Sequence, residues 1–114
     1  MKEVTAITRN VRMSAQKGRP LARECQGKPV TEALKIVEFS PRKAALTLSK
    51  TLKSAVANAK NNAHLDVDTL RVVLCVFDEG MRHRRFWPRA RGSASPIAKR
   101  TCHCKVILSG EEQP

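Results

Sequence analysis

Residues 81–105 hold eight Lys or Arg side chains and no Asp or Glu, and no other feature limits what this chain can fold into so strongly. A block of one sign repels itself and offers too little apolar surface to offset the entropy of being ordered inside a globule. Its flanks are different. Residues 70–78, Leu-Arg-Val-Val-Leu-Cys-Val-Phe-Asp, and residues 102–108, Cys-His-Cys-Lys-Val-Ile-Leu, are rich in β-branched and apolar side chains and read as strands. Two strands joined through Gly80, Pro88, Gly92 and Pro96 read as a hairpin whose distal part projects from the body. At about 3.3 Å per residue, arms of roughly ten residues reach on the order of 30 Å. The alternative reading of the block is a solvated, disordered basic loop.

The remaining composition separates a binding surface from a core. The chain has 114 residues and a mass of 12.7 kDa, the size of one ordinary domain. Lys and Arg total 22 against 10 Asp and Glu, a net charge of +12. Residues 1–28 carry a net +5 while residues 29–80 carry only +1, so the excess lies mainly at the start and in the basic block. A polyanion is the expected partner. Hydrophobic residues make up 41% of the chain, which excludes a merely disordered basic tail. The longest apolar run, Val72-Val73-Leu74-Cys75-Val76-Phe77, is far shorter than the roughly 20 residues of a membrane-spanning helix. The opening Met1-Lys2-Glu3-Val4-Thr5 lacks a secretory signal's apolar stretch, so the protein is expected in the reducing cytosol with its cysteines as free thiols.

Periodicity supplies the elements of the body. Residues 4–12 alternate and read as a strand leading to Ser14, a candidate cap for a first helix. In that helix Ala15, Gly18, Leu21, Ala22 and Cys25 make one small or apolar face and Gly27 a stop. Pro20 interrupts it, so the helix is expected to start late, to kink, or to depend on tertiary support. A second helix following Thr31 presents Ala33, Leu34 and Val37 on one side and ends near Phe39. Ser40-Pro41 reads as a cap with proline at the first helical position. From there Ala45, Leu48, Leu52, Ala55, Val56, Ala59 and Ala63 recur at three- and four-residue steps, opposite Lys43, Lys50, Lys53 and Lys60. The fold class is α+β: a small antiparallel sheet packed against three helices, with a long projecting β-hairpin. Residues 1–114 are expected to form a single domain, with a compact body at 1–80 and 102–114 and an extended basic hairpin at 81–101.

The candidate nucleic-acid contacts follow the charge: Arg9, Arg12, Lys17, Arg19, Arg23 and Lys28 in the first part, then Arg82, Arg84, Arg85, Arg89, Arg91, Lys99 and Arg100 in the block. Arginine predominates in the hairpin, and guanidinium forks bind phosphate bidentately or stack on bases. Phe86-Trp87 could stack on bases or pin the hairpin stem, with packing the favoured role. Catalytic signatures are missing. There is no phosphate-cradling glycine loop, no His-Glu-x-x-His and no Cys-x-x-Cys. His64, His83 and His103 are scattered, and Asp66 with Asp68 reads as turn chemistry. Cys102-His103-Cys104 places both sulfurs on one strand face but lacks a second ligand pair for zinc. No catalytic residue, metal ligand or cofactor is expected.

One set of motifs runs nearly end to end: Ser14-Ala15-Gln16-Lys17, Lys43-Ala44-Ala45, Ser54-Ala55-Val56-Ala57-Asn58-Ala59, Asp78-Glu79-Gly80, Pro88-Arg89-Ala90-Arg91-Gly92 and Lys99-Arg100-Thr101-Cys102-His103. In these residues the chain resembles the large-subunit ribosomal protein twenty-two family, in its short bacterial or organellar form. The family's hairpin pattern is a basic residue, four spacers, Arg-small-x-Gly and a later His, matched here by Arg84, Arg89, Ala90, Gly92 and His103. Cys104, where the family is usually aliphatic, and Gly18-Arg19-Pro20 depart from it. The resemblance implies a structural constituent of the large ribosomal subunit, a monomer within the ribosome. Its partners would be large-subunit ribosomal RNA, other large-subunit proteins and, transiently, the nascent polypeptide, with no membrane involved. It also implies that His103 joins the RNA contacts. The hairpin would line the nascent-peptide exit tunnel near where macrolide antibiotics bind, with Met81, Arg82, His83, Arg84, Arg85, Pro88, Arg89, Ala90, Arg91 and Gly92 nearest the lumen. The body would lie near the tunnel exit. The expected location is the cytoplasmic ribosome, with an organellar ribosome as the alternative. Basic composition taken alone is also compatible with a free-standing RNA- or DNA-binding module.

Overall fold

The computed structural model describes residues 2–88, 90–92 and 94–112. Strand β1 (Lys2–Val11) is followed by helices α1 (Ala15–Cys25), α2 (Val30–Glu38) and α3 (Lys43–Asn61), then by strands β2 (Arg71–Pro88) and β3 (Ala94–Gly110). The sheet is antiparallel in the order β1-β3-β2, which puts the last strand in the middle. Strand alternation sends Ala6, Val72, Cys75, Phe77, Cys102, Cys104, Val106 and Leu108 to one buried face. Helix α1 packs there on β2, α3 packs on β1 and β3, and α2 packs on the other two helices. The α+β class expected from the sequence is the observed one.

Each helix forms for a reason visible in its apolar stripe. The α1 face is the expected one: Ala15, Gly18, Leu21, Ala22 and Cys25 are all buried. The helix continues through Pro20, which lies on its exposed side. Tertiary packing of the neighbouring Leu21 and Ala22 therefore supplies what the missing N–H removes. Gly18 carries no Cβ because the Phe77 ring occupies that space, with ring atoms 2.8 Å from where a Cβ would sit. Gln26 ends the helix, and Gly27, at a φ of +83°, turns the chain so that its N–H reaches the Val72 carbonyl at 2.7 Å. The same segment places the Lys28 carbonyl on the Val72 N–H and the Val30 N–H on the Leu70 carbonyl, covering the free edge of β2 inside the body.

The helix starts differ from expectation in three details. Ser14 occupies the cap position of α1, but its hydroxyl makes no capping bond. Helix α3 begins at Lys43, two residues beyond the expected Ser40-Pro41 start. The Ser40 hydroxyl instead accepts from the Arg42 N–H at 3.3 Å, a local turn that spends the side chain before the helix opens. Helix α2 starts at Val30, just ahead of Thr31. Within α3 the expected stripe is buried at Ala45, Leu48, Leu52, Ala55 and Ala59, with Val56 and Ala63 at its edge. Thr51 is buried as well, donating to the Thr47 carbonyl and sharing a 2.7 Å hydrogen bond with Thr8 of β1.

Beyond the Val11–Cys102 pair, β1 stops and β2 and β3 continue alone as a two-stranded ribbon. The molecule measures 71 × 25 × 16 Å with a radius of gyration of 17.5 Å, against roughly 13 Å for a compact chain of this length. The ribbon accounts for the excess. Its strand pairing runs to Pro88 and Ala94, and the tip turns through Arg91 and Gly92, both at positive φ.

Candidate nucleic-acid interface

The ribbon leaves the body at a bulge. Register shifts by one residue between Glu79 and Arg82, so that Gly80 and Met81 together oppose Thr101. Thr101 Oγ1 donates to the Met81 carbonyl at 2.6 Å. A Cβ on Gly80 would sit 2.8 Å from Thr101 Oγ1 and 3.1 Å from the His103 ring, which is why glycine stands there. A second irregularity lies opposite: β1 bulges near Asn10, at a φ of +57°, and the Asn10 N–H donates to His103 Nδ1 at 3.1 Å. His103 thus sits half-buried where the three strands part.

Past the bulge, cross-strand register divides the cations between two faces. Arg82 opposes Arg100, and Arg84 opposes Ala98, on one face; His83 opposes Lys99, and Arg85 opposes Ile97, on the other. Every described side chain from Met81 to Arg100 is exposed. Arg12, from the end of β1, joins His83, Arg85 and Lys99 of the second face around a hollow of about 480 Å³, whose lining also includes Arg100 and Thr101. On the first, Arg19 of α1 and Arg82 meet beside the bulge in a much smaller cleft that also includes Glu79. Glu79 pairs with Arg82 at 3.6 Å in a well-exposed geometry, an interaction worth little in water. Both faces of the ribbon are therefore cationic at the stem, and neither is covered by protein.

The other expected contacts lie elsewhere. Arg23 borders a hollow beside Cys75, Val76 and Asp78 on the β2 side of the body. Lys28 lies next to the covered β2 edge and Arg9 is exposed on β1. Lys17 faces Arg12 across a separate hollow together with Arg42 and Lys43, two cations that sequence reasoning did not select. Of the residues expected nearest a tunnel lumen, Met81, Arg82, His83, Arg84 and Arg85 stand on the ribbon, and Pro88, Ala90, Arg91 and Gly92 at its tip. Arg89 and the Trp87 side chain lie outside the described residues. Phe86 is 77% exposed and opposes Pro96, so it does not pin the stem as expected. A ribbon without a second layer has nothing to pack it against.

The cysteines are core residues. Cys25, Cys75, Cys102 and Cys104 are all free and buried. Burial, aided by the nearby Glu24, pushes the Cys25 thiol up to about 11, and burial pushes Cys104 up to about 11 against the opposing effect of the polar Thr51 side chain beside it. Cys75 and Cys102 rise for the same first cause. Thiols held protonated at neutral pH are poor nucleophiles and poor metal ligands. Among the described residues, no group of three or more His, Cys, Asp or Glu could hold a metal ion.

Comparison with known proteins agrees with this arrangement over nearly the whole chain. The family model described as Ribosomal protein L22p/L17e matches residues 6–109, from β1 through the entire ribbon. A protein of Akkermansia muciniphila named Large ribosomal subunit protein uL22 is 53% identical over 110 residues, covering 96% of this chain and 98% of the relative. Proteins of the same name from Pseudothermotoga lettingae and Thermosipho africanus are 44% and 47% identical over 96% of this chain, covering 79% and 74% of their own lengths. With a family match that runs through both the helical body and the cationic ribbon, and relatives this similar over 96% of its length, the chain belongs to the Ribosomal protein L22p/L17e family.

Proposed function

We propose that this protein is a structural constituent of the large ribosomal subunit that binds large-subunit ribosomal RNA and lines the nascent-peptide exit tunnel with its hairpin. The family is structural and non-enzymatic. The observation that carries the reading is the exposed two-faced cationic ribbon inside a chain that matches this family from end to end. In this reading residues 1–114 act as one domain, a compact body of residues 1–80 and 102–114 near the tunnel exit and a hairpin of residues 81–101 reaching inward. Its partners are the ribosomal RNA and neighbouring large-subunit proteins, with the growing polypeptide passing the tip, and its place is the cytoplasmic ribosome. No helix among the described residues is long and apolar enough to cross a membrane.

The mechanism is scaffolding. Isolated, the ribbon gains nothing from its clustered guanidinium groups; between RNA segments, each phosphate contact releases condensed counterions. Cations on both faces let two segments approach from opposite sides, and the enclosed ribbon becomes a rigid spacer between them. Such contacts position RNA and carry little sequence information. Sedimentation of native particles tests this: the protein should stay with the large subunit through a high-salt wash that strips loosely held factors. Recovery of all of it in the free fraction would contradict the assignment.

A further inference from the structure

We propose that the groove between α1 and the open edge of β2 is a docking site for an extended segment of a second polypeptide that carries carboxylates at alternate positions. The inference stands apart from the RNA-binding reading above, since it concerns a different surface and a protein partner.

Strand β2 lies at the edge of the sheet and pairs there with β3 alone. Its other side already accepts a strand at one end. The Val72 N–H donates to the Lys28 carbonyl, the Gly27 N–H donates to the Val72 carbonyl, and Pro29 and Arg71 form an antiparallel bridge. That cover stops at Val72, because the chain ahead of Gly27 is helix α1. Among the described residues, the backbone of residues 73–78 has no backbone partner outside the sheet. This leaves about 20 Å of open edge, six residues at roughly 3.3 Å each. A row of unpaired N–H and C=O groups is a template for another chain.

The groove beside that edge holds about 240 Å³ and is bounded on the strand by four consecutive residues, Cys75 to Asp78. Consecutive strand residues point to opposite faces, so a hollow touching all four lies along the strand's edge and on neither face. Its other wall is a single stripe of α1, Arg19, Ala22, Arg23 and Gln26, at helical spacing. In peptide recognition by strand addition, main-chain hydrogen bonds give affinity, and contacts to alternate side chains give specificity. Here Ala22, Cys75 and Phe77 are buried and form an apolar floor. Arg19 and Arg23 are exposed, and neither takes part in an ion pair among the described residues. Every second side chain of an added strand faces α1, where a carboxylate meets these guanidinium groups. The intervening positions lie beside Val76 and Asp78, where an uncharged β-branched residue fits and a second carboxylate is repelled. RNA phosphates would engage the two arginines and leave the strand edge unpaired; a peptide satisfies both.

The test titrates the full-length, isotope-labelled protein with an acetylated hexapeptide of alternating glutamate and valine, and follows backbone amide resonances and their hydrogen exchange. Amides of residues 19–26 and 73–78 should shift, and exchange within 73–78 should slow about tenfold with the peptide at roughly ten times its Kd. The same peptide N-methylated at every amide should leave them unmoved. Arg19→Glu with Arg23→Glu should weaken binding about tenfold and favour a lysine–valine hexapeptide instead. Arg19→Lys with Arg23→Lys should keep the acidic preference; both side chains are exposed, so the fold is spared in either variant. Shifts confined to residues 82–100 would overturn the proposal by marking mere attraction to the basic ribbon, and so would undiminished binding of the N-methylated peptide. Protection of residues 19–26 and 73–78 by large-subunit ribosomal RNA that the peptide fails to displace would overturn it too, assigning the two arginines to RNA. The RNA contacts of the hairpin would stand under any of these results.

Discussion

Replacing Phe77 with alanine is expected to cost about 3–5 kcal/mol of folding stability, the usual range for removing a buried aromatic ring. Phe77 is 1% exposed and is the largest of the fully buried side chains among the described residues. It stands on β2 opposite Cys104 and fills the space that Gly18 leaves open on α1. Its ring is the joint between the sheet and the first helix, where collapse of the surroundings is limited because α1 is already in backbone-close approach. Set against a typical domain stability of about 5–15 kcal/mol, the loss should bring the protein near unfolding at physiological temperature, read as a large drop in the urea midpoint. Gly18→Ala tests the same joint from the other side. Alanine in a helix is ordinarily the better residue by about 1 kcal/mol, yet here it should destabilise, because its Cβ would lie 2.8 Å from the ring. Combining it with Phe77→Leu should recover part of that loss. A stabilising Gly18→Ala, or a Phe77→Ala loss under about 1 kcal/mol, would show that the ring is not seated as described.

The second large effect concerns binding and should leave the fold alone. Changing Arg82, Arg84 and Arg85 together to alanine removes cations from both faces of the ribbon. Affinity for large-subunit ribosomal RNA should fall on the order of a hundredfold near physiological salt, from charge-assisted contacts worth about 1.5–3 kcal/mol each before compensation. The salt slope should become shallower by about 2–3. The melting temperature should barely move, since these side chains are exposed and the ion pair lost among the described residues, Arg82 with Glu79, is solvent-accessible. A steep loss of stability with an unchanged salt slope would mean that these arginines serve the hairpin's own folding and not its partner.

Much of this architecture was legible because it depends on spacing alone. The five residues of the α1 face recur at helical steps, the α3 stripe does the same, and both are buried as that spacing requires. The projecting hairpin was legible from charge, since eight cations without an acid cannot be buried. What was hidden depends on where distant segments meet. Ser40 could cap a helix or a turn, and only the path from α2 into α3 decides for the turn. The bulge at Gly80 and Met81 has no local signature, because register is a property of two strands. Phe86 looked like a packing residue from its apolar character, but the ribbon has no opposing layer. Arg42 and Lys43 sit in a stretch of nearly balanced charge; only the fold carries them to Arg12 and Lys17.

In the proposed role the cationic ribbon, bare in the isolated protein, is enclosed on both faces by ribosomal RNA. A density map of the large subunit from the source organism reads it directly. Residues 82–100 should run extended away from the helical body, with phosphates within about 4 Å of guanidinium groups on the Arg82–Arg100 face and on the Arg85 face alike. A ribbon found in open solvent, or folded back against α1 with no RNA beside it, would rule out the scaffolding role.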